Sequence, residues 1–146
     1  MSEYGDFMNK IKFYNTLPPE AKEIRICVFM NEQGFMDEFD DKDGHAVHLV
    51  LYANGTAAGT ARLFTEDGGK TFHLGRIAVL KQYRGCHLGA EIVNAMCEKA
   101  KSLGAQKCVL SAQCRVREFY KTLGFTEYGE EYYDEYCPHI FMEKTL

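Results

Sequence analysis

The sequence predicts an α+β domain built on a mixed, mainly antiparallel sheet flanked by helices. Three observations carry this. Two strand-like runs rich in Val, Leu, Ala and Thr, residues 45–53 and 56–65, are joined by Asn54-Gly55, a dipeptide that tolerates the positive φ of a tight hairpin. Leu88, Ile92, Ala95, Met96, Ala100 and Leu103 recur at the helical period and form one apolar stripe. The remaining patterns give the order strand, helix, three antiparallel strands, helix, strand, helix, and one or two strands.

Residues 10–14 alternate polar and apolar side chains as a first strand does. Pro18-Pro19 suits a helix start, because proline in the first turn loses no needed hydrogen bond. The helix runs to about Phe29, with Ala21, Ile24 and Val28 facing the core, until Gly34 and an acidic stretch break the pattern. After the hairpin, Asp67-Gly68-Gly69 makes a turn and residues 71–79 read as a third strand of the same meander. The long helix from His87 is closed by Gly104, a residue suited to a left-handed cap. A short buried strand over residues 107–112 follows. A helix over residues 115–123, closed by Gly124, leads to last strands at 125–128 and 140–143 around an acidic, tyrosine-rich turn.

At 146 residues the chain fits one domain, residues 1–146, which can bury roughly two-thirds of its unfolded surface. Apolar residues at 46% and charged residues at 26% match an ordinary globular balance. The first residues, Met1-Ser2-Glu3-Tyr4-Gly5-Asp6, carry neither a basic segment nor a signal-length apolar run, so an unexported, cytoplasmic protein without a membrane span is expected. Six scattered cysteines then read as reduced thiols, and no close Cys or His spacing suggests a metal. A net charge of −4 argues against nucleic acid as a partner. The acids at 37, 38, 40, 41 and 43, and at 130, 131, 134 and 135, read either as solvated loops or as an electrostatic guide for amines.

The segment Gly75-Arg76-Ile77-Ala78-Val79-Leu80-Lys81-Gln82-Tyr83-Arg84-Gly85-Cys86-His87-Leu88-Gly89-Ala90 runs from a strand through a glycine-bearing loop into the longest helix. A helix start presents unpaired N–H groups and partial positive charge, and glycines at 85 and 89 let a diphosphate approach the main chain. Arg84 can add a charge-assisted contact. The alternative is a tight turn with a helix cap. ATPase and dinucleotide loops lose ground, since neither Gly-x-x-x-x-Gly-Lys-Ser/Thr nor Gly-x-Gly-x-x-Gly is present here.

These residues resemble the pyrophosphate motif of the GNAT superfamily of N-acetyltransferases, and 115–125, with Phe119, Tyr120 and the ending Leu123-Gly124-Phe125, resembles its later helix. The first half, around residues 25–34, 46–50 and 59–63, is similar to the small bacterial ElaA-like branch. The resemblance implies acetyl-CoA as co-substrate, held by Ile77, Ala78, Val79, Gln82, Arg84, Gly85, Cys86, His87, Leu88, Gly89, Ala90, Phe119 and Tyr120, without a metal. One departure stands out: His87 replaces the middle glycine of the loop, where a Cβ costs room and a protonated ring could instead contact phosphate.

The resemblance further implies transfer of the acetyl group directly to a small-molecule or peptide amine, the acidic residues near the acceptor regions favour a small, cationic one, and a homodimer is left open. Backbone N–H near Val79 would hold the oxyanion and Tyr120 would protonate the CoA thiolate; a packed helix aromatic is the alternative for Tyr120. An amine with a pKa near 10.4 must lose its proton before attack. His73, six residues before Val79, is the favoured base unless a strand bulge turns it away. Glu32, Gln33 and His139 are expected at the acceptor, and with His48 or a water relay they are rivals for the base. A covalent route through Cys86 or Cys114 is less favoured, because Cys86 sits too close to the phosphates to reach the acyl carbon. Two other classes stay open: a non-catalytic acyl-CoA-binding or sensing domain, and a structural partner domain using Tyr132, Tyr133 and Tyr136.

Overall fold

A computed structural model describes residues 8–146. Residues 1–7, on which the expectation about export rests, lie outside the described residues. A seven-stranded sheet runs in the order β1-β2-β3-β4-β5-β7-β6. The strands are β1 Asn9–Tyr14, β2 Val47–Ala53, β3 Thr56–Thr65, β4 Thr71–Val79, β5 Lys107–Gln113, β6 Thr126–Asp134 and β7 Cys137–Thr145. The helices are α1 Pro19–Arg25, α2 Leu88–Ser102 and α3 Arg117–Thr122. One ladder is parallel, β4 with β5 from Thr71–Lys107 to Leu74–Leu110, while β1–β2, β5–β7 and β6–β7 are antiparallel. The mixed, mainly antiparallel sheet expected from the sequence is therefore present. No helix among the described residues is long and apolar enough to cross a membrane.

The chain divides into two compact units. The first comprises the described residues up to Arg62 together with Arg76–Val93, and the second Leu63–Gly75 with Asn94–Leu146. In the first, Asn54 (φ 52°) and Gly55 (φ 84°) both adopt the left-handed geometry that a two-residue hairpin demands. Ala21, Ile24 and Val28 of the first helical run are buried, and Ile24 and Val28 pack with Ala78, Phe29, Ala57 and Leu80. The helix does not stop at Phe29: after α1 it widens into a π-helical segment, Ile26–Glu32, with Gln33 N–H donating to Val28 O at 3.0 Å. This turn departs from the 3.6 period, so the apolar stripe stops predicting facing beyond Val28.

The acidic stretch is neither a solvated loop nor an open guide for cations. Asp41–Gly44 form a 3-10 turn that Asp40 and Asp43 cap reciprocally. Glu38 and Asp43 are buried, and three arginines meet them. Arg25, 1% exposed, binds Glu38 through Nε (2.8 Å) and Asp43 through Nη1 (2.7 Å). Arg62 reaches Asp40 with both terminal nitrogens (2.5 and 3.0 Å) and Asp43 with Nη1 (3.1 Å). Arg76 donates from Nε to Glu38 at 3.0 Å. Buried His48 donates from Nε2 to the Asp43 carbonyl at 3.0 Å. Arg25 was legible in part, for it falls on the same helical face as Ala21, Ile24 and Val28, where an arginine needs a carboxylate partner.

In the second unit, the end of α2 buries Met96, Cys97 and Ala100, while β5 and β7 bury Cys108, Leu110, Ile140 and Met142. Leu103, assigned to the helical stripe, is instead 47% exposed beyond the helix end. The acidic, tyrosine-rich segment expected as a turn is strand: β6 and β7 make a long hairpin whose turn is only Glu135-Tyr136. Charged residues tolerate this because β6 is an edge strand exposed along almost its whole length. An irregularity between Tyr128 and Tyr132, with Gly129 at φ 74°, breaks the alternation that would have revealed it. All six cysteines are free.

The ionic cluster makes two predictions. Arg25→Met leaves Glu38 and Asp43 buried with one guanidinium fewer, and it is expected to cost about 3–5 kcal/mol in urea unfolding. Burial works against the Asp43 carboxylate, but the hydrogen bonds and charge of Arg25, with Asp40 N–H and Arg62, outweigh it and bring the pKa down to about 2. A carboxyl so depressed contributes stability that is present above its unfolded pKa of about 3.9 and lost as pH falls through the folded value. His48, which burial pushes down, acts in the same sense below about pH 6.5, whereas Glu38, which burial pushes up, acts in the opposite one. Asp43→Asn is therefore expected to be less stable than the parent by about 2 kcal/mol at pH 7 and to converge with it near pH 2, measured by melting across that range.

Candidate active site

The candidate residues fall into two groups, one in each compact unit. In the first unit, β4 ends on Ile77-Ala78-Val79, and Leu80 N–H donates to Ala58 O of β3 at 2.9 Å. Gly59 lets this region close up, since a Cβ there would lie 2.6 Å from Ile92 Cδ1 and 3.1 Å from Ala78 O. A 3-10 turn, Lys81–Tyr83, carries Gln82 and leads to Arg84. Gly85 (φ 86°) and His87 (φ 63°) are both left-handed. Histidine therefore keeps the backbone form that glycine adopts freely, and its side chain is exposed.

Helix α2 begins at Leu88, which is buried, with Gly89 and Ala90 half-buried behind it. The Glu91 N–H donates to His87 O at 3.2 Å, so the N–H groups of Leu88, Gly89 and Ala90 precede the first helical bond. These three N–H groups, which follow a turn with two left-handed residues, stand at the positive end of a 15-residue helix, a setting suited to an anion. Cys86 is a half-buried free thiol in the same loop.

Arg84 is already engaged. Its Nε donates to Val79 O at 2.9 Å, and its two terminal nitrogens grip Glu32 at 2.5 and 2.8 Å. Its pKa is raised, chiefly by the hydrogen bond to Glu32. The sequence placed these two residues in separate roles, Arg84 on phosphate and Glu32 at the acceptor. Their pairing spans 52 positions and left no local signal. Gln33 follows Glu32, half-buried at the end of the π-helical segment.

The second unit holds His73, Phe119, Tyr120 and His139. Tyr120 lies in α3, 9% exposed, edge-on to Phe119 (5.1 Å between centroids) and to Phe125 (6.0 Å). Burial raises its phenol to about 12 against a small opposing pull from Arg115. His73 stacks on Phe64, centroids 4.9 Å apart and rings 6° from parallel. Three residues beyond it, Arg76 takes φ 51°, so simple alternation along β4 no longer puts His73 and Val79 on one face. His139 is buried in β7, with Nδ1 donating to Cys137 O at 2.9 Å and its ring 5.9 Å from Tyr132. His48, a rival for the base, is locked against Asp43 O in the ionic cluster. Among the described residues, no group of three or more His, Cys, Asp and Glu side chains is placed to hold a metal ion.

Comparisons with known proteins bear on the family and the fold of this chain. A model of the acetyltransferase (GNAT) domain matches residues 16–146. The uncharacterized N-acetyltransferase YjcF of Bacillus subtilis is 34% identical over 129 residues, covering 86% of this chain and 90% of that protein. Protein ElaA of Escherichia coli is 28% identical over 129 residues, 85% and 84% of the two chains. Its crystal structure matches with a TM-score of 0.84 over 94% of this chain and 99% of its own, at 24% identity. An acyl-CoA N-acyltransferase from Pseudomonas aeruginosa has the same fold, with a TM-score of 0.80, 24% identity and coverage of 95% and 99%. The chain belongs to the GNAT acetyltransferase family and carries the acyl-CoA N-acyltransferase fold.

Proposed function

We propose that this protein transfers an acetyl group from acetyl-CoA directly to the amine of a small molecule or peptide, with residues 1–146 acting as a single N-acetyltransferase domain. The observation that carries the reading is the turn with left-handed Gly85 and His87 that leads into the start of α2, where the Leu88, Gly89 and Ala90 N–H groups precede the first helical bond. In this reading the diphosphate lies over Arg84 to Ala90 with Gln82 at its edge, and the pantetheine follows Ile77-Ala78-Val79, with Phe119 and Tyr120 at the thioester.

The amine nitrogen attacks the thioester carbon, backbone N–H near Val79 supports the oxyanion, and the carbon–sulfur bond then breaks. By type His73 suits taking the amine proton near neutral pH, and because the left-handed Arg76 takes it off the face of Val79, it acts in this scheme through a relayed water. Tyr120, held near 12, stays protonated across the working range. Complete transfer from so weak an acid to a thiolate of ordinary pKa, about 8.5, is uphill. Tyr120 therefore serves best by donating a hydrogen bond to the thiolate as it forms, while the proton lost by the amine makes good the balance.

Glu32, Gln33 and His139 are assigned to the acceptor. A cationic acceptor now rests on Glu32 and the acids of β6, because Glu38, Asp40 and Asp43 are balanced by three arginines. We place the reaction in the cytoplasm, where six free thiols stay reduced, with neither nucleic acid nor membrane as partner. Whether the chain works as a homodimer follows from its mass in solution.

Incubation with acetyl-CoA and an amine panel is expected to release thiol only when an amine is present; stabilisation by acetyl-CoA without amine-dependent thiol would instead make the chain a non-catalytic acyl-CoA-binding domain. Tyr120→Phe is expected to lower kcat about 100-fold with the CoA dissociation constant unchanged, and an intact kcat would remove its role. His87→Gly is expected to tighten CoA about threefold at pH 8 and to raise folding stability by about 0.5–1 kcal/mol, since it relieves a left-handed histidine. Calorimetry and thermal melts read both, and weaker CoA binding would show that the imidazole itself helps hold phosphate.

A further inference from the structure

Two kinds of arginine pair occur in the first unit. Arg25 is 1% exposed and bound by two buried carboxylates, so nothing from solvent can exchange with it. The Arg84–Glu32 pair is different: the side chains are 39% and 37% exposed, and Arg84 is fixed to its loop independently, through Nε to Val79 O. Its two terminal nitrogens can therefore change partner without the loop losing its anchor. Glu32 ends the π-helical segment, where the carbonyl end of the helix disfavours a negative charge. A carboxylate there demands a cation.

We propose that Glu32 and the diphosphate of CoA compete for Arg84, so that the Glu32 carboxylate is released to take another cation only once the cofactor is seated. This rests on the acetyl-CoA reading above and adds the order of events to it. The physical basis is that a guanidinium presents its paired N–H groups equally well to a carboxylate or to a phosphate. A diphosphate over residues 84–90 brings negative charge beside Glu32, which shares the same two nitrogens. The displaced carboxylate, still at a helix end, is matched by the ammonium form of an amine. Acceptor binding before the cofactor is disfavoured because Arg84 already occupies Glu32. Glu32 is thus a positioning residue that couples the two substrates.

The sign of one substitution separates this from a merely structural clamp. Glu32→Gln removes the competitor and is expected to tighten CoA about two- to fivefold by calorimetry, whereas loss of a clamp would weaken CoA or leave it unchanged. In the Arg84→Gln background the same change is expected to give no gain. In the parent, carbodiimide-driven coupling of glycinamide to Glu32, mapped by mass spectrometry, is expected to rise when CoA is saturating. Unchanged or weaker CoA binding by Glu32→Gln, an equal gain without Arg84, or coupling that fails to rise each overturns the exchange while leaving the CoA reading in place. A parent chain that binds no CoA overturns both.

Discussion

The carboxylate of Asp43 receives two buried guanidinium groups, and the architecture of the first unit depends on that meeting. Arg25 comes from α1 and Arg62 from β3, so one short acidic turn ties a helix to the sheet. Buried charges are tolerable only when every partner is in place, and here Glu38 and Asp40 complete the set with Arg76 as the third cation. Arg76 also sits at φ 51°, in a conformation a non-glycine residue holds only when its surroundings fix it. Its side chain is fixed by Glu38, and the next three residues are the strand end assigned to pantetheine. The charge cluster thereby sets the path of β4 into the turn before α2.

That turn is shaped by backbone rather than by side chain. Leu80 N–H on Ala58 O and the bare Cα of Gly59 fix the strand end, the left-handed pair at 85 and 87 turns the chain, and α2 supplies oriented N–H groups. Backbone donors at a helix start need no reorganisation when an anion arrives, which is why a histidine can stand where a glycine serves, provided its φ stays positive. Arg84 and Tyr120 illustrate two contrasting electrostatic devices. The first is paired with Glu32 at the surface, which holds its charge; the second is buried among Phe119 and Phe125 so that its proton is retained.

Several site residues are less available than their side-chain type suggests. His48 is committed to the Asp43 carbonyl, and His73 has one ring face covered by Phe64. Cys97 and Cys108 are buried in the second unit's core, and the latter's thiol is pushed far up because its S–H donates a hydrogen bond to Cys97 and because it is buried, which makes it inert as a nucleophile.

The sequence by itself determined the local elements. The Asn54-Gly55 hairpin, β3 and β4 to the residue, the α2 stripe and the glycine closures at 104 and 124 all follow from φ preference and period, which are properties of neighbouring residues. The turn between β4 and α2 was legible for the same reason, since its glycines and the helix behind it are contiguous. Tertiary structure alone decided the partners. Asp43 with Arg25 and Arg62, and Glu32 with Arg84, join positions 18, 19 and 52 apart, and an acidic run looks the same in sequence whether water or arginine neutralises it. The long β6–β7 hairpin was hidden likewise, because an edge strand carrying a bulge needs no apolar alternation and is recognised only by the strand beside it.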